Sequence, residues 1–282
     1  RQIKELLSID VFSDKKIRIM PDVHAGAGCV IGFTGDLGDK VIPNIVGVDI
    51  GCGMRILRLG HIGDIDFHAF NEHIRSYVPS GMMAREDKYG FKPLVGEEMD
   101  IYREAKQLVL QLYCYREIKD SGRINKSIGS LGGGNHFIEY GEDKDSDESW
   151  LTIHCGSRNL GVKIANHWHN IAQNPKRAKY IGFLWGDALK GYLSDMVIAQ
   201  AYALYNHQII RDRIFAILRK LCKAKCAESI FTTHNYISVT AERPMLRKGA
   251  IEASEGRKVV IPFNMRDGIA ICIGKGNEQW LN

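Results

Sequence analysis

The sequence predicts an α+β fold. Three stretches carry apolar residues at helical spacing, six short β-branched runs are punctuated by glycine, and the two kinds of segment do not alternate as a doubly wound parallel sheet requires. The helical stretches are 66–77, 98–118 and 192–223, the last with Met196, Ala199, Ala203, Tyr205, Ile209, Phe215 and Leu218 near i, i+3, i+4, i+7 positions. The extended runs are 17–20, 41–48, 55–59, 150–154, 259–262 and 268–273. Residues 81–93, with Met82, Met83 and mixed charges, read as a surface loop, and Lys176, Arg177 and Lys179 as a solvated face.

With 282 residues, 45% hydrophobic and 25% charged, the chain can bury a large core without disulfides, as one large domain or two. Its 38 basic and 33 acidic residues leave +5, a balance that permits a nucleic-acid partner without requiring one. Apolar runs break well before the roughly 18 residues of a membrane span, and no secretory leader opens the chain. Seven scattered cysteines make a poor disulfide framework and fit thiols kept reduced, so the expected location is cytoplasmic. Cys222 and Cys226 read as half-buried helical thiols, because no second pair follows at zinc-ribbon spacing, and Cys114 and Cys272 as packing residues.

Glycine is where the sequence becomes unusual: 29 of them concentrate beside histidines, cysteines and acids at the ends of expected strands. Met20-Pro21-Asp22-Val23-His24 places an acid and an imidazole two apart, on one face. Gly47-Val48-Asp49-Ile50-Gly51-Cys52-Gly53 places a carboxylate and a thiol three apart, and a thiolate can bridge two divalent ions while the carboxylate completes one, a mixed set suited to manganese or zinc. Gly132-Gly133-Gly134-Asn135-His136-Phe137-Ile138-Glu139 and Ile153-His154-Cys155-Gly156-Ser157-Arg158 set histidines beside backbone amides able to nest an anion, with Arg158 as a phosphate clamp. Thr233-His234-Asn235 ends another β-type run. Asp49, Cys52, His136, His154 and His234 thus form five donors, enough for two metals if the thiolate is shared. His61, His68, His73, His167, His169 and His207, in helical or charged stretches, read as surface residues. Arg247-Lys248-Gly249 and Gly274-Lys275-Gly276-Asn277 set cations beside glycine turns, which suits phosphate.

With these motifs in order, the chain resembles the RtcB family of RNA ligases. Pro-Asp-Val-His, Gly-Val-Asp-Ile-Gly-Cys-Gly-Met, Gly-Asn-His-Phe-Ile-Glu, His-x-Gly-Ser-Arg and Arg-Lys-Gly-Ala occur in that family's order, and Asn264 to Gly268 with the 274–277 block resembles a shorter branch. The resemblance implies one large α+β domain over 1–282, with mixed or antiparallel sheets around a dinuclear metal pocket. It implies a GTP-dependent enzyme with two manganese ions that joins RNA ending in a 2′,3′-cyclic phosphate or 3′-phosphate to RNA with a 5′-hydroxyl, with archease as a candidate helper. By motif, Cys52 bridges the ions, Asp49 and His136 complete one, and His154 and His234 the other. Asn135, Glu139 and Lys275 fall on the nucleotide side, and Asp22 near the reacting phosphate. The chain departs from the family in Ala27, where lysine is frequent, and in Cys155, where serine is usual. The resemblance also implies that the start of the first helix precedes Arg1 and that the guanylylated histidine, in a His-Gly-Ala-Gly-Arg block, follows Asn282. Two rivals stand beside it: a dinuclear phosphoesterase in which the same five donors activate water, and a non-catalytic protein that binds RNA ends and has lost the nucleophile.

Overall fold

The computed structural model describes residues 1–85, 90–118, 121–173, 182–222, 224–239, 244–264 and 266–277, so the surface reading of Lys176, Arg177 and Lys179 lies outside the described residues. In chain order the elements are α1 (Gln2–Leu7), β1 (Ile17–His24), β2 (Ile31–Asp36), β3 (Lys40–Val41), α2 (Pro43–Val46), β4 (Gly53–Gly60) and α3 (Phe67–Tyr77). There follow α4 (Glu97–Val109), α5 (Ser121–Ser127), β5 (Phe137–Glu142), β6 (Ser149–Cys155), α6 (Arg158–Ala172), β7 (Leu184–Trp185) and the 37-residue α7 (Gly186–Cys222). The last described elements are β8 (Glu228–Thr233), β9 (Asn235–Ser238), β10 (Met245–Lys248), β11 (Lys258–Asn264) and β12 (Gly268–Ile273). The mixture of helices and antiparallel sheets is the expected α+β class.

Two four-stranded antiparallel sheets organise the molecule, ordered β1-β2-β10-β9 and β5-β6-β4-β8, while β3 pairs with β7 and β11 with β12. Strand β6 shows why the second sheet forms. Its side chains alternate, with Leu151, Ile153 and Cys155 entering an apolar core shared with Ile210, Ile214 and Leu218 of α7. The intervening Thr152 and His154 point to the other face, and His154 is the last of these before the strand ends. Helix α7 is the pillar of the fold: it packs against α3, α4, α6, β6 and β9 and contributes to both large cores.

Two expected elements are broken where the sequence suggests continuity, and one helix appears that the sequence reading lacks. The run 41–48 is not one strand, because Pro43 at the first turn starts the short helix α2 after two paired residues of β3. The expected helix over 98–118 stops at Val109: beyond it, the buried carboxylate of Asp195 on α7 accepts the amides of Tyr113 at 2.6 Å and Cys114 at 3.3 Å, and the Trp168 indole at 2.8 Å. Amides held by a side chain are lost to a helical ladder. Helix α6 was not expected; its burial stripe of Leu160, Ile164, Ala165 and Trp168 is real but short. The expected 66–77 helix is present as α3, with Asp66 as its cap accepting from the Ala69 amide at 3.0 Å. Cys114 is buried as expected, Cys222 half-buried at the end of α7, and Cys226 exposed beyond it. Among the described residues no helix is long and apolar enough to cross a membrane.

Candidate metal centre

Three segments meet at one edge of the second sheet, where β4 begins and its neighbours β6 and β8 end. Register places Gly53 opposite both Cys155 and Thr233, so Cys52 and His234, just outside these pairs, and His154, one position inside the end of β6 and opposite Met54, are brought together without any local sequence proximity. The Asp49–Cys52 turn is closed by the Cys52 amide donating to Asp49 O at 3.2 Å, with Gly51 at φ +71° in the left-handed region. It is tied to the last strands by Gly51 N to Asn235 O at 2.8 Å and His234 N to Cys52 O at 2.9 Å. Gly156 permits the close approach of β6, since a Cβ there would lie 3.2 Å from Cys52 Cα and nearer still to the Asp49 carboxylate.

Two sets of donors share the thiol. Asp49, Cys52 and His136 form one, and Cys52, His154 and His234 the other, with the ligand atoms of each within 4.8 Å of one another. His136 Nε2 lies 3.0 Å from Asp49 Oδ2 and 3.6 Å from Cys52 Sγ; His154 Nε2 lies 3.1 Å from the same sulfur and 3.2 Å from His234 Nε2. The outer nitrogens decide the chemistry. His154 Nδ1 lies 2.9 Å from Asn135 O, and since a carbonyl only accepts, that nitrogen carries a proton, whereas His136 Nδ1 lies between Leu131 O at 3.0 Å and the Arg158 guanidinium, which only donates, at 3.2 Å. In its neutral ring His154 Nε2 therefore turns a lone pair inward, toward the Cys52 sulfur and His234 Nε2. Lone pairs facing one another at these distances repel unless an electrophile, a proton or a metal ion, lies between them. Backbone carbonyls that fix the outer nitrogen are how proteins aim imidazole ligands at metals.

Burial sets the protonation of the group. It pushes His154 down to about 4 and His234 down to about 3, with neighbouring imidazoles adding to the effect, so both rings are neutral ligands near pH 7. Burial opposes the ionisation of Asp49, but the hydrogen bond and charge of His136 outweigh it and hold its carboxyl down to about 2. Burial, then Asp49, pushes the Cys52 thiol well above its ordinary range, so a metal would have to displace its proton.

A cavity of about 340 Å³ opens beside the Asp49–His136 side of the cluster. Arg123, Arg158, Asn135 and Ser130 supply its polar wall, and Val48, Met82 and Val162 are among its apolar residues. Arg158 reaches it from a left-handed backbone position, φ +58°, uncommon for a side chain of that size. Its Nε is buried with no partner among the described residues.

A sequence model of the family described as "tRNA-splicing ligase RtcB" matches residues 2–282 of this chain. The chain belongs to the RtcB family. Among its curated relatives, the RNA-splicing ligase RtcB of Escherichia coli K12 is 30% identical, the match covering 95% of this chain and 72% of that protein. The tRNA-splicing ligase RtcB of Nanoarchaeum equitans is 24% identical over 95% of this chain and 71% of its own length. The RNA-splicing ligase RtcB homolog 1 of Entamoeba histolytica is 26% identical over 68% of this chain and 45% of its own.

Of the residues that resemblance to RtcB proteins singled out, the structure brings Asp49, Cys52, His136, His154 and His234 into one cluster. Asn135 is exposed on the cavity wall, and its carbonyl orients His154. Glu139 is half-buried on β5 opposite Thr152, two positions from Phe137, which faces His154 ring to ring at 5.3 Å. Asp22 is exposed at the end of β1, and Lys275 is exposed in the loop after β12; neither is among the residues lining the cavity. The expected surface position of His207 is wrong: it is fully buried on α7, pushed down to about 3 by burial, with Nε2 donating to Cys155 O at 2.9 Å. Its flanks, Tyr205-Asn206 and Gln208-Ile209-Ile210, carry no charge, and its place in the amphipathic run is the one signal of burial that the sequence offers. Sequence reading also passed over Arg123, whose helical surroundings carry no motif, and Asn159, which directly follows the His-x-Gly-Ser-Arg motif, in the cavity wall.

Proposed function

We propose that this protein is an RNA ligase joining a 2′,3′-cyclic phosphate or 3′-phosphate end to a 5′-hydroxyl end, with GTP and two manganese ions. The single observation behind this is the shared thiol: Cys52 Sγ lies 3.6 Å from His136 Nε2 and 3.1 Å from His154 Nε2, each heading a separate donor set. On this reading Asp49 and His136 would hold one ion, His154 and His234 the other, and Cys52 both. A mixed set of thiolate, imidazole and carboxylate fits borderline divalent metals, and the inward lone pair of His154 fits an ion in its set. Such ions supply Lewis acidity that offsets charge developing on phosphoryl oxygens. Arg158 and Arg123, on the wall beside them, would bind and orient a phosphate, and the apolar wall would exclude water from it. Asn135, Glu139 and Lys275 would serve the nucleotide, and Asp22 the reacting RNA end. Action in the cytoplasm, with archease as helper, belongs to the same reading.

The test is RNA joining by the protein expressed in full, with two labelled strands, manganese and GTP. Joining is expected only when one strand ends in a phosphate at its 3′ end and the other begins with a hydroxyl. Release of phosphate without joining would replace the ligase with a dinuclear phosphoesterase, and tight end binding without either reaction would leave a binding protein.

A further inference from the structure

Helix α7 passes from one apolar core to the next near its middle: Tyr202 and Ile209 belong to the first, Ile210 and Ile214 to the second. At that passage sit two polar residues with no exposure, Asn206 and His207. Polar groups persist in such a place only with partners that offset desolvation, so what Asn206 binds is informative. Its Oδ1 accepts the Gly129 amide at 2.7 Å. Its Nδ2 donates to Ser130 O at 3.1 Å and Gly156 O at 3.2 Å, and reaches Cys155 Sγ at 3.4 Å. The next residue, His207, donates to Cys155 O at 2.9 Å and packs edge-on to Phe231 of β8 at 4.9 Å.

One amide thus grips two segments that are remote in sequence. The first, 129–136, ends in His136, whose ring is aimed by Leu131 O. The second, the end of β6, carries His154 and then Gly156, on which the Asp49–Cys52 turn rests. His136 and His154 head different donor sets. We infer that Asn206 is a positioning residue that sets the separation of the two donor sets across Cys52. It touches none of the five donors and acts through the backbone on either side of them. The residue type follows from the geometry: the site needs one acceptor for Gly129 and donors for two carbonyls, which asparagine supplies and aspartate, leucine or alanine does not. The inference rests on the two-ion reading above, and extends it to a residue outside the ligand set.

The test compares Asn206→Ala and Asn206→Asp with Tyr202→Phe. Tyr202→Phe, one turn away, removes the buried bond from Tyr202 to Ile124 O, 2.7 Å long, without touching either segment. Manganese titration is read together with electron paramagnetic resonance, which distinguishes a coupled ion pair from isolated ions. The unsubstituted protein should bind two ions with a coupled spectrum. Both Asn206 variants should bind the second ion at least roughly 10-fold more weakly, the scale of lost ligand orientation, and lose the coupling. Tyr202→Phe should keep the coupled spectrum even where its thermal stability falls as far. A native protein without a coupled pair would refute the two-ion reading itself. A native pair that survives in the Asn206 variants with affinities within about twofold would overturn the positioning role alone, as would failure of both variants to fold, which assigns Asn206 to folding.

Discussion

Residues 20–28 and residues 47–54 are close analogues in sequence, each setting an acid and a second donor two or three positions apart among glycines. Their fates diverge. Asp22 and His24 stand exposed at the end of β1, Asp22 within an irregularity in its pairing with β2 and His24 at the far side of it, and His24 Nδ1 turns back to the carbonyl two residues before it, Asp22 O, at 2.9 Å. Asp49 and Cys52 are met by the ends of β6 and β8 and by the glycine loop before β5. The difference lies in what the neighbouring strands deliver. An acid and an imidazole on one strand share a face, whereas donors on several strand ends share a volume, and only a volume can surround an ion.

The sharpest way to break this comparison is Cys52→Ala. Removing the shared sulfur should abolish manganese binding at both sites, beyond the roughly 10- to 100-fold typical of losing an outer partner, while Asp49→Ala should weaken mainly one site on that scale. Calorimetric titration of both variants checks it, and two sites of native affinity in Cys52→Ala would end the bridging assignment.

Acid should unfold the metal-free protein through the same convergent region. In the folded state His154 is held down to about 4, and His207 and His234 to about 3, whereas a histidine in the unfolded chain titrates near 6.5. Between those values the unfolded chain binds more protons, so stability rises with pH: it is complete above about 6.5 and is lost as pH falls toward 3. Each histidine contributes a slope of about 1.4 kcal/mol per pH unit inside its window. Thermal melting should fall steadily from about pH 7 to about pH 4, and His234→Gln should flatten the curve; a native melting temperature constant over that range would mean that these rings are not held neutral.

The smallest effect is expected at the analogue that did not converge. Asp22→Asn and His24→Ala should leave both manganese affinities within about twofold of native. A tenfold loss in either would bring the end of β1 into the centre and erase the contrast.

The five clustered donors were legible because they stand in four short motifs beside β-type runs, and such motifs can be read locally. Their pairing is a matter of register, which appears in no single motif. Other features escaped for physical reasons that the structure makes plain. The helix over 98–118 looked continuous because its apolar spacing does not reveal that Asp195, some eighty residues later, takes its amides. His207 looked exposed because a partner that is a backbone carbonyl, here Cys155 O, leaves no trace in residue identity. Proline, by contrast, marked the break at 43 in the sequence itself, although the β-branched residues around it favoured a strand.

The order in which the centre is completed follows from the sheet that builds it. Asp49 and Cys52 come early in the chain, His136 and His154 near its middle, and His234 only on the far side of the 37-residue helix. During synthesis the first carboxylate and thiol therefore wait, without their partners, while well over a hundred further residues emerge and the pillar helix docks. Contacts of such long range form late in folding. A nascent chain offers metals only an isolated acid and thiol, and the full donor set exists only once β8 has paired with β4, so tight metal uptake is a report that this sheet is closed.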